Sequence, residues 1–225
     1  MSRDLSDLRL WIFDMDDTLY PEREFVLGGY RVVSRITQED HGVSIEDALI
    51  ERFQRGQRNS AFNLALKDKG IDAEESYIKV LVHAYREHTP KLSPFPDVLP
   101  FLEKLRSQSK LIALLSDGLE TVQRRKWDAL GLTEFFDLVV FTESLGGPQN
   151  WKPSPKGFEL ALKGLVVEPR HAVYVGDNPL KDFKAPRELG MKSIRIIRPE
   201  GQHRNLVAMD PRYEADFSIQ SLSQL

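Results

Sequence analysis

Several stretches of the chain are apolar at consecutive positions: Leu8 to Phe13, broken only by Arg9, then Leu111 to Leu115, Leu138 to Phe141 and Ala172 to Val175. A half-exposed strand alternates apolar and polar residues, whereas a strand covered on both faces does not, and parallel sheets flanked by helices are built from the second kind. Between these runs apolar residues recur at helical spacing, at Val98, Phe101, Leu102 and Leu105 and again at Phe158, Ala161, Leu162 and Leu165. Ser154 and Pro155 supply an N-cap and a first-turn proline for the second helix, and Gly131 ends a helix running through Leu130. Strands alternating with helices predict an α/β fold, a doubly wound, Rossmann-like parallel sheet.

Residues 22–93 read differently, with helical patterns and no convincing strand. Ser44 and Asp47 cap a helix carrying Ile45, Ala48, Leu49 and Phe53, while Gly70, Asp72 and Glu75 mark the end of one helix and the start of the next. The stretch closes on Ser93-Pro94-Phe95-Pro96, a stiff segment suited to a boundary. The expected organisation is a catalytic core of residues 1–21 and 94–225 with an all-helical cap, 22–93, inserted after the first strand; Pro21 and Ser93-Pro94 are the candidate hinges.

Composition narrows the function classes. With 41% hydrophobic and 29% charged residues the chain has the balance of a globular protein, and its net charge of -3 comes from mixed signs, so no basic footprint for nucleic acid is present. The absence of cysteine excludes disulfides and thiolate metal sites. Met1 to Asp7 is polar and the apolar run after it stops at Asp14, too short for a signal-peptide core or a membrane span. A cytoplasmic protein, monomeric or homodimeric and without membrane or nucleic-acid partners, is expected.

Candidate chemistry sits at the strand ends, where ligands of doubly wound sheets bind. Asp14-Met15-Asp16-Asp17-Thr18 follows the first strand, and in extended chain Asp14 and Asp16 point to one side. Ser116-Asp117-Gly118 follows the second, where a hydroxyl and backbone N–H groups ahead of a helix suit a phosphate oxygen. Lys152-Pro153 lies in a loop, and Gly176-Asp177-Asn178-Pro179-Leu180-Lys181-Asp182 follows the strand Ala172 to Val175. Taken singly, each also fits a solvated turn, a surface lysine or an acidic helix start.

Taken in order, Asp-x-Asp-x-Thr, Ser-x-Gly, Lys-Pro and Gly-Asp-x-x-x-x-Asp resemble the four-motif signature of the haloacid-dehalogenase-like superfamily, and residues 22–93 stand where its helical caps are inserted. The resemblance implies a phosphatase of small phosphomonoesters, sugar phosphates or nucleoside monophosphates. In it Asp14 attacks phosphorus, Asp16 serves as general acid and base, and Ser116 and Lys152 hold the phosphoryl oxygens. It also implies Mg²⁺ held by the Asp14 side chain, the Asp16 backbone carbonyl and Asp177, with Asp182 in support. The chain departs from the pattern at Asp117, where asparagine is common, and at Pro186, which falls in a helix. The chemistry is coherent: a phosphate dianion with two carboxylates brings roughly -4, against about +3 from a divalent cation and Lys152, the rest falling to N–H donors. Asp16, crowded by carboxylates, is expected to titrate above the ordinary range.

Three other readings share this fold. A dehalogenase needs neither the second acid nor the acidic fourth motif; a phosphosugar mutase keeps all four; an inactive regulatory module is possible on any fold. His41, His83, His88, His171 and His203 form no metal-ligand spacing and read as surface or core residues, and Trp11 and Trp127 as core. Trp151 stands beside Lys152 at a candidate site mouth, and Arg52, Arg55 and Arg58 recur on one side of a helix, either a binding surface or a solvated basic face.

Overall fold

A computed structural model describes residues 5–225, so part of the polar stretch Met1 to Asp7 lies outside the described residues. The chain divides into two compact units, one running through Glu22 and resuming over Leu92–Leu225, the other Arg23–Lys91. In chain order the principal elements are β1 (Leu10–Phe13), α1 (Glu22–His41), α2 (Glu46–Gln54), α3 (Ala61–Asp68), α4 (Glu75–Glu87), α5 (Val98–Ser107), β2 (Leu111–Ser116) and α6 (Glu120–Leu130). There follow β3 (Leu138–Phe141), α7 (Lys156–Gly164), β4 (Ala172–Gly176), α8 (Lys184–Leu189), β5 (Lys192–Ile196) and β6 (Phe217–Ile219).

The six strands form one parallel sheet in the order β3-β2-β1-β4-β5-β6. The continuous apolarity of the β1 run follows from this place at the centre, because successive side chains leave a strand on opposite faces and both faces are covered. Leu10 and Ile12 join a buried cluster with Phe158 and Ala161 of α7, Tyr174 of β4 and Ala185 of α8. Trp11 and Phe13 meet the Phe101 ring of α5 edge-on, with centroids 5.2 and 6.3 Å away, and Trp127 of α6 packs on Phe136 at 4.8 Å. Each such large apolar side chain removed from water contributes about 1.5–3 kcal/mol.

Sequence patterning misses β5 and β6 for identifiable reasons. Lys192 and Arg195 break the apolar run of β5, and β6 is a three-residue edge strand. The first strand is shorter than its apolar run, starting at Leu10, and α7 begins at Lys156 with Pro155 in the capping position rather than in the first turn. Gly131 does end α6, at φ +64°. Pro186 is the third residue of α8, within the turn whose N–H groups have no intrahelical partner.

The Arg23–Lys91 unit is helical and has its own core, in which Val26, Tyr30, Val33, Leu49, Phe53, Leu66 and Leu81 are buried. Gly29 of α1 lets Tyr85 of α4 come close, since a Cβ there would stand 2.4 Å from the Tyr85 ring. The arginine row is tied up locally: Arg52 pairs with Asp68 at 2.6 Å, Arg55 with Glu51 at 2.6 Å, and Arg58 lies over the Phe53 ring. Among the described residues no helix is long and apolar enough to cross a membrane.

Candidate active site

Register places the motifs together. Phe13 of β1 lies opposite Leu114 of β2 on one side and Val175 of β4 on the other, so Asp14, Ser116 and Asp177, just beyond this level, emerge at one edge of the sheet. The strand order also reverses at β1, with β2 to one side and β4 to the other, which opens a crevice at the carboxyl end.

Lys152 is the centre of the cluster. Its side chain is fully buried, and its Nζ lies 2.8 Å from an Asp14 oxygen, 3.0 Å from Asp182 and 2.7 Å from the Tyr174 hydroxyl. Burial alone would depress this ammonium, but the charges of Asp14 and Asp182 outweigh burial and hold its pKa well above the ordinary lysine value. Asp182 also accepts the Asn178 N–H at 2.8 Å, and Gly176 makes room for it: a Cβ there would stand 2.6 Å from an Asp182 oxygen. Asp117 accepts hydrogen bonds from the Lys152 N–H at 3.1 Å, Thr142 at 2.8 Å and Lys181 at 2.8 Å. Its charge, in place of the neutral asparagine of the pattern, is thus matched by Lys181.

Asp14, Asp177 and Asp182 offer carboxylate oxygens that all lie within 4.8 Å of one another, and all three residues are buried. Burial pushes Asp14 up to about 6, the Lys152 charge only partly offsetting it, and pushes Asp177 up to about 6 despite the hydrogen bond with His203. Buried carboxylates crowded in this way fit a hard divalent cation that prefers oxygen ligands.

Asp16 faces a different set of partners. Lys126 of α6 approaches its two oxygens at 2.8 and 3.0 Å, Gln123 one turn earlier donates to it at 3.0 Å, and the Tyr20 hydroxyl donates to it as well. The Gln123 amide also reaches the Ser116 hydroxyl at 2.7 Å. The expectation of a raised Asp16 pKa is therefore corrected. Burial pushes it up, but the Lys126 charge and the hydrogen bonds from Lys126, Tyr20 and Gln123 outweigh burial and hold the carboxyl below the usual range. Crowding by carboxylates was visible in the sequence; Lys126, 110 residues away, was not.

His203 is the second correction, being more than a surface or core histidine. Its Nδ1 lies 2.9 Å from Asp177 and its Nε2 3.3 Å from the Asn178 amide, while Arg195 of β5 donates to the His203 carbonyl at 2.8 Å. Burial disfavours the imidazolium, but the hydrogen bond and charge of Asp177 raise the His203 pKa overall. Asp17 fastens the loop after β1: at φ +50° it accepts the N–H groups of Glu22 at 2.9 Å and Gln202 at 2.7 Å. Arg198 holds the same loop through the Thr18 carbonyl at 2.9 Å and Asp97 at 2.7 Å. The indole of Trp151, partly exposed, contributes no hydrogen bond, its N–H being buried without a partner.

Gln123, Lys126, Tyr20 and His203 are the site residues that sequence reasoning passed over. The one sequence signal for them was the three-residue spacing of Gln123 and Lys126 on a single face of the helix after Ser116-Asp117-Gly118.

Known proteins agree with this geometry. The family model described as "Haloacid dehalogenase-like hydrolase" matches residues 11–196. A glyceraldehyde 3-phosphate phosphatase of Methanopyrus kandleri is 33% identical, over 91% of this chain and 88% of its own length. A phosphoglycolate phosphatase of Aquifex aeolicus is 29% identical, over 84% and 85%. The crystal structure of a HAD phosphatase from Thermococcus onnurineus superposes with a TM-score of 0.62 at 28% identity, covering 96% of this chain and 95% of that one. With the parallel sheet, the strand-end aspartates and these relatives in agreement, the chain belongs to the haloacid dehalogenase-like hydrolases, among their phosphatases.

Proposed function

We propose that this chain is a Mg²⁺-dependent phosphomonoesterase that hydrolyses a small phosphorylated metabolite through an aspartyl-phosphate at Asp14. The observation that carries this reading is the buried cluster in which Lys152 meets Asp14 at 2.8 Å beside Asp177 and Asp182, with a separate carboxylate, Asp16, nearby in the same loop. Asp14, Asp177 and Asp182 would hold the cation, which supplies positive charge against the phosphoryl oxygens.

In the first step an Asp14 oxygen bonds to phosphorus as the bond to the leaving oxygen breaks, and Asp16, which must first take up a proton against the pull of Lys126, passes that proton to the leaving oxygen. Ser116 and Lys152 bind the phosphoryl oxygens, where Lys152 offsets charge that the buried aspartates would otherwise repel. In the second step water attacks phosphorus, its proton passes to Asp16, and the bond to Asp14 breaks. A haloacid dehalogenase requires no acid in the place of Asp16, and Asp16 with its three donors favours the phosphatase reading.

The relatives named above point to a substrate of the size of a triose phosphate or phosphoglycolate. The helical unit Arg23–Lys91 is the proposed specificity element, because the core motifs address the phosphoryl group and cannot distinguish leaving groups. The test is phosphate release from a panel of triose phosphates, phosphoglycolate, phosphoserine and nucleoside monophosphates, with Mg²⁺ or with chelator. The expected result is turnover of one or more two- or three-carbon phosphates only in the presence of Mg²⁺. No turnover of any member with Mg²⁺, or undiminished turnover in chelator, contradicts the proposal.

A second expectation concerns pH. Asp14 and Asp177 have folded pKa values near 6, above the ordinary value of 3.8. In metal-free buffer the folded state therefore binds more protons than the unfolded one between these limits. The stability these groups contribute is present below about pH 4 and is lost as pH rises past about 6. Cation binding needs the ionised forms, so Mg²⁺ affinity should weaken steeply below pH 6, approaching about 100-fold per pH unit when both groups titrate together. The Tm increase on adding Mg²⁺, followed from pH 5 to 8, checks this: it should be large above pH 7 and vanish near pH 5. A Tm increase independent of pH would place the cation elsewhere.

A further inference from the structure

The geometry points to Lys181 as the positioning residue that makes an aspartate workable in the turn after β2, by holding the charge of Asp117 so that the Lys152 ammonium stays with Asp14, an inference that rests on the phosphatase reading above. The two Asp117 oxygens have separate tasks. Oδ1 accepts the Thr142 hydroxyl at 2.8 Å and the Lys152 N–H at 3.1 Å, which ties the turn after β2 to the end of β3 and to the loop that carries Lys152. Oδ2 faces charge: the Lys181 Nζ at 2.8 Å and the Lys152 Nζ at 4.0 Å. An asparagine could do the work of Oδ1 with its carbonyl oxygen, and its NH₂ group in the place of Oδ2 would call for no cation. What aspartate adds is a negative charge, and Lys181, from the turn after β4, meets it. Burial pushes the Asp117 carboxyl up, but the charges of Lys152 and Lys181 outweigh burial and hold it below the ordinary range, so the turn carries an anion.

That anion stands beside the two residues proposed to bind a second one. Ser116 precedes it in the chain, and Lys152 is tied to it through the backbone N–H. The Lys152 Nζ is already shared between Asp14 at 2.8 Å and Asp182 at 3.0 Å, with Asp117 next at 4.0 Å. Without Lys181 the cation left to Asp117 is Lys152, and any movement of Lys152 toward it takes positive charge away from Asp14 and the phosphoryl group. The turn would also confront a phosphate dianion with an uncompensated buried carboxylate, and like charges brought together away from water repel strongly. Lys181 removes both difficulties, and its own side chain, 30% exposed, keeps part of its hydration while doing so. A residue that merely supports the fold would change stability and leave the affinity for phosphate where it was.

The experiment reads the Kd of inorganic phosphate from the rise of Tm with phosphate concentration at saturating Mg²⁺, in wild type, Lys181→Met and the double variant Asp117→Asn/Lys181→Met. The inference expects Lys181→Met to weaken phosphate binding at least about fivefold, and the double variant to return to within about twofold of wild type, because an uncharged turn needs no counter-ion. A smaller loss in Lys181→Met overturns it and leaves the pair a structural contact. A double variant that stays further than about twofold from wild type also overturns it, since Lys181 then acts independently of Asp117. Should Lys181→Met fail to fold, the double variant decides alone: it should fold and bind phosphate within about twofold of wild type, and failure on either count overturns the inference. Wild-type protein that turns over the panel while its Tm ignores phosphate overturns this inference only, whereas wild-type protein inert toward the whole panel refutes the phosphatase reading itself.

Discussion

Asp14→Asn is expected to lower phosphate release by at least about 10⁴-fold for every substrate while leaving the fold intact. Asparagine has nearly the shape of aspartate but cannot form an acyl phosphate through an anionic oxygen, so the proposed two-step route is closed. The fold should survive because burial disfavours the Asp14 charge, so the fold does not depend on it. Burial already raises its carboxyl to about 6, and Lys152 retains Asp182 at 3.0 Å and the Tyr174 hydroxyl at 2.7 Å when the charge is removed. Tm should therefore stay within about 5 °C of wild type in metal-free buffer. Phosphate release at near wild-type rate would show that water attacks directly and that Asp14 has another role.

Lys152→Met is expected to fail on two counts at once. Its Nζ is the common neighbour of Asp14 and Asp182, and removing one partner of a buried ion pair leaves the others uncompensated, which costs about 3–5 kcal/mol of stability. Without that charge the transferred phosphoryl group also loses its protein cation, for which a fall of about 10³-fold in kcat/KM is expected. The two losses are separable by Mg²⁺: the cation should restore part of the Tm by neutralising the aspartates, but not the rate. Circular-dichroism melts and initial rates, each with and without Mg²⁺, make the comparison. Full recovery of the rate by Mg²⁺ would show that Lys152 serves only to hold the aspartates in place.

What the sequence disclosed, and what it did not, follows from how far each feature depends on residues distant along the chain. The Leu8 to Phe13 run reads as a strand covered on both faces, and its Leu10–Phe13 part lies at the centre of the sheet, which puts Asp14, the residue that ends it, at the carboxyl edge. β5 was illegible because Arg195, which breaks its pattern, is turned to the carbonyls of Asp177 and His203. Asp16 shows the same limit at the level of chemistry. Asp14 and Asp17 stand close to it in sequence, yet its neighbours in space are Lys126, Gln123 and Tyr20, and the direction of its pKa is set by the second group. His203 carried no motif at all, and its contact with Asp177 exists only because the segment after β5 returns to the site and is fastened there by the Gln202 N–H to Asp17. The arginines of α2 and the turn after it failed in the opposite sense: their spacing was regular, but Asp68, Glu51 and Phe53 already engage them.

The account stands on a covalent bond between Asp14 and phosphorus, and that bond can be trapped. Wild-type protein is mixed with Mg²⁺ and its best substrate, quenched in the steady state, and treated with borohydride, which reduces an acyl phosphate to the alcohol and leaves a free carboxylate untouched. Peptide mass spectrometry should then find homoserine at position 14, dependent on both substrate and Mg²⁺, and aspartate unchanged at positions 16, 177 and 182. Reduction at one of those other positions would contradict the assignment of Asp14, and rapid turnover with no reduced residue at any position would contradict the aspartyl-phosphate itself.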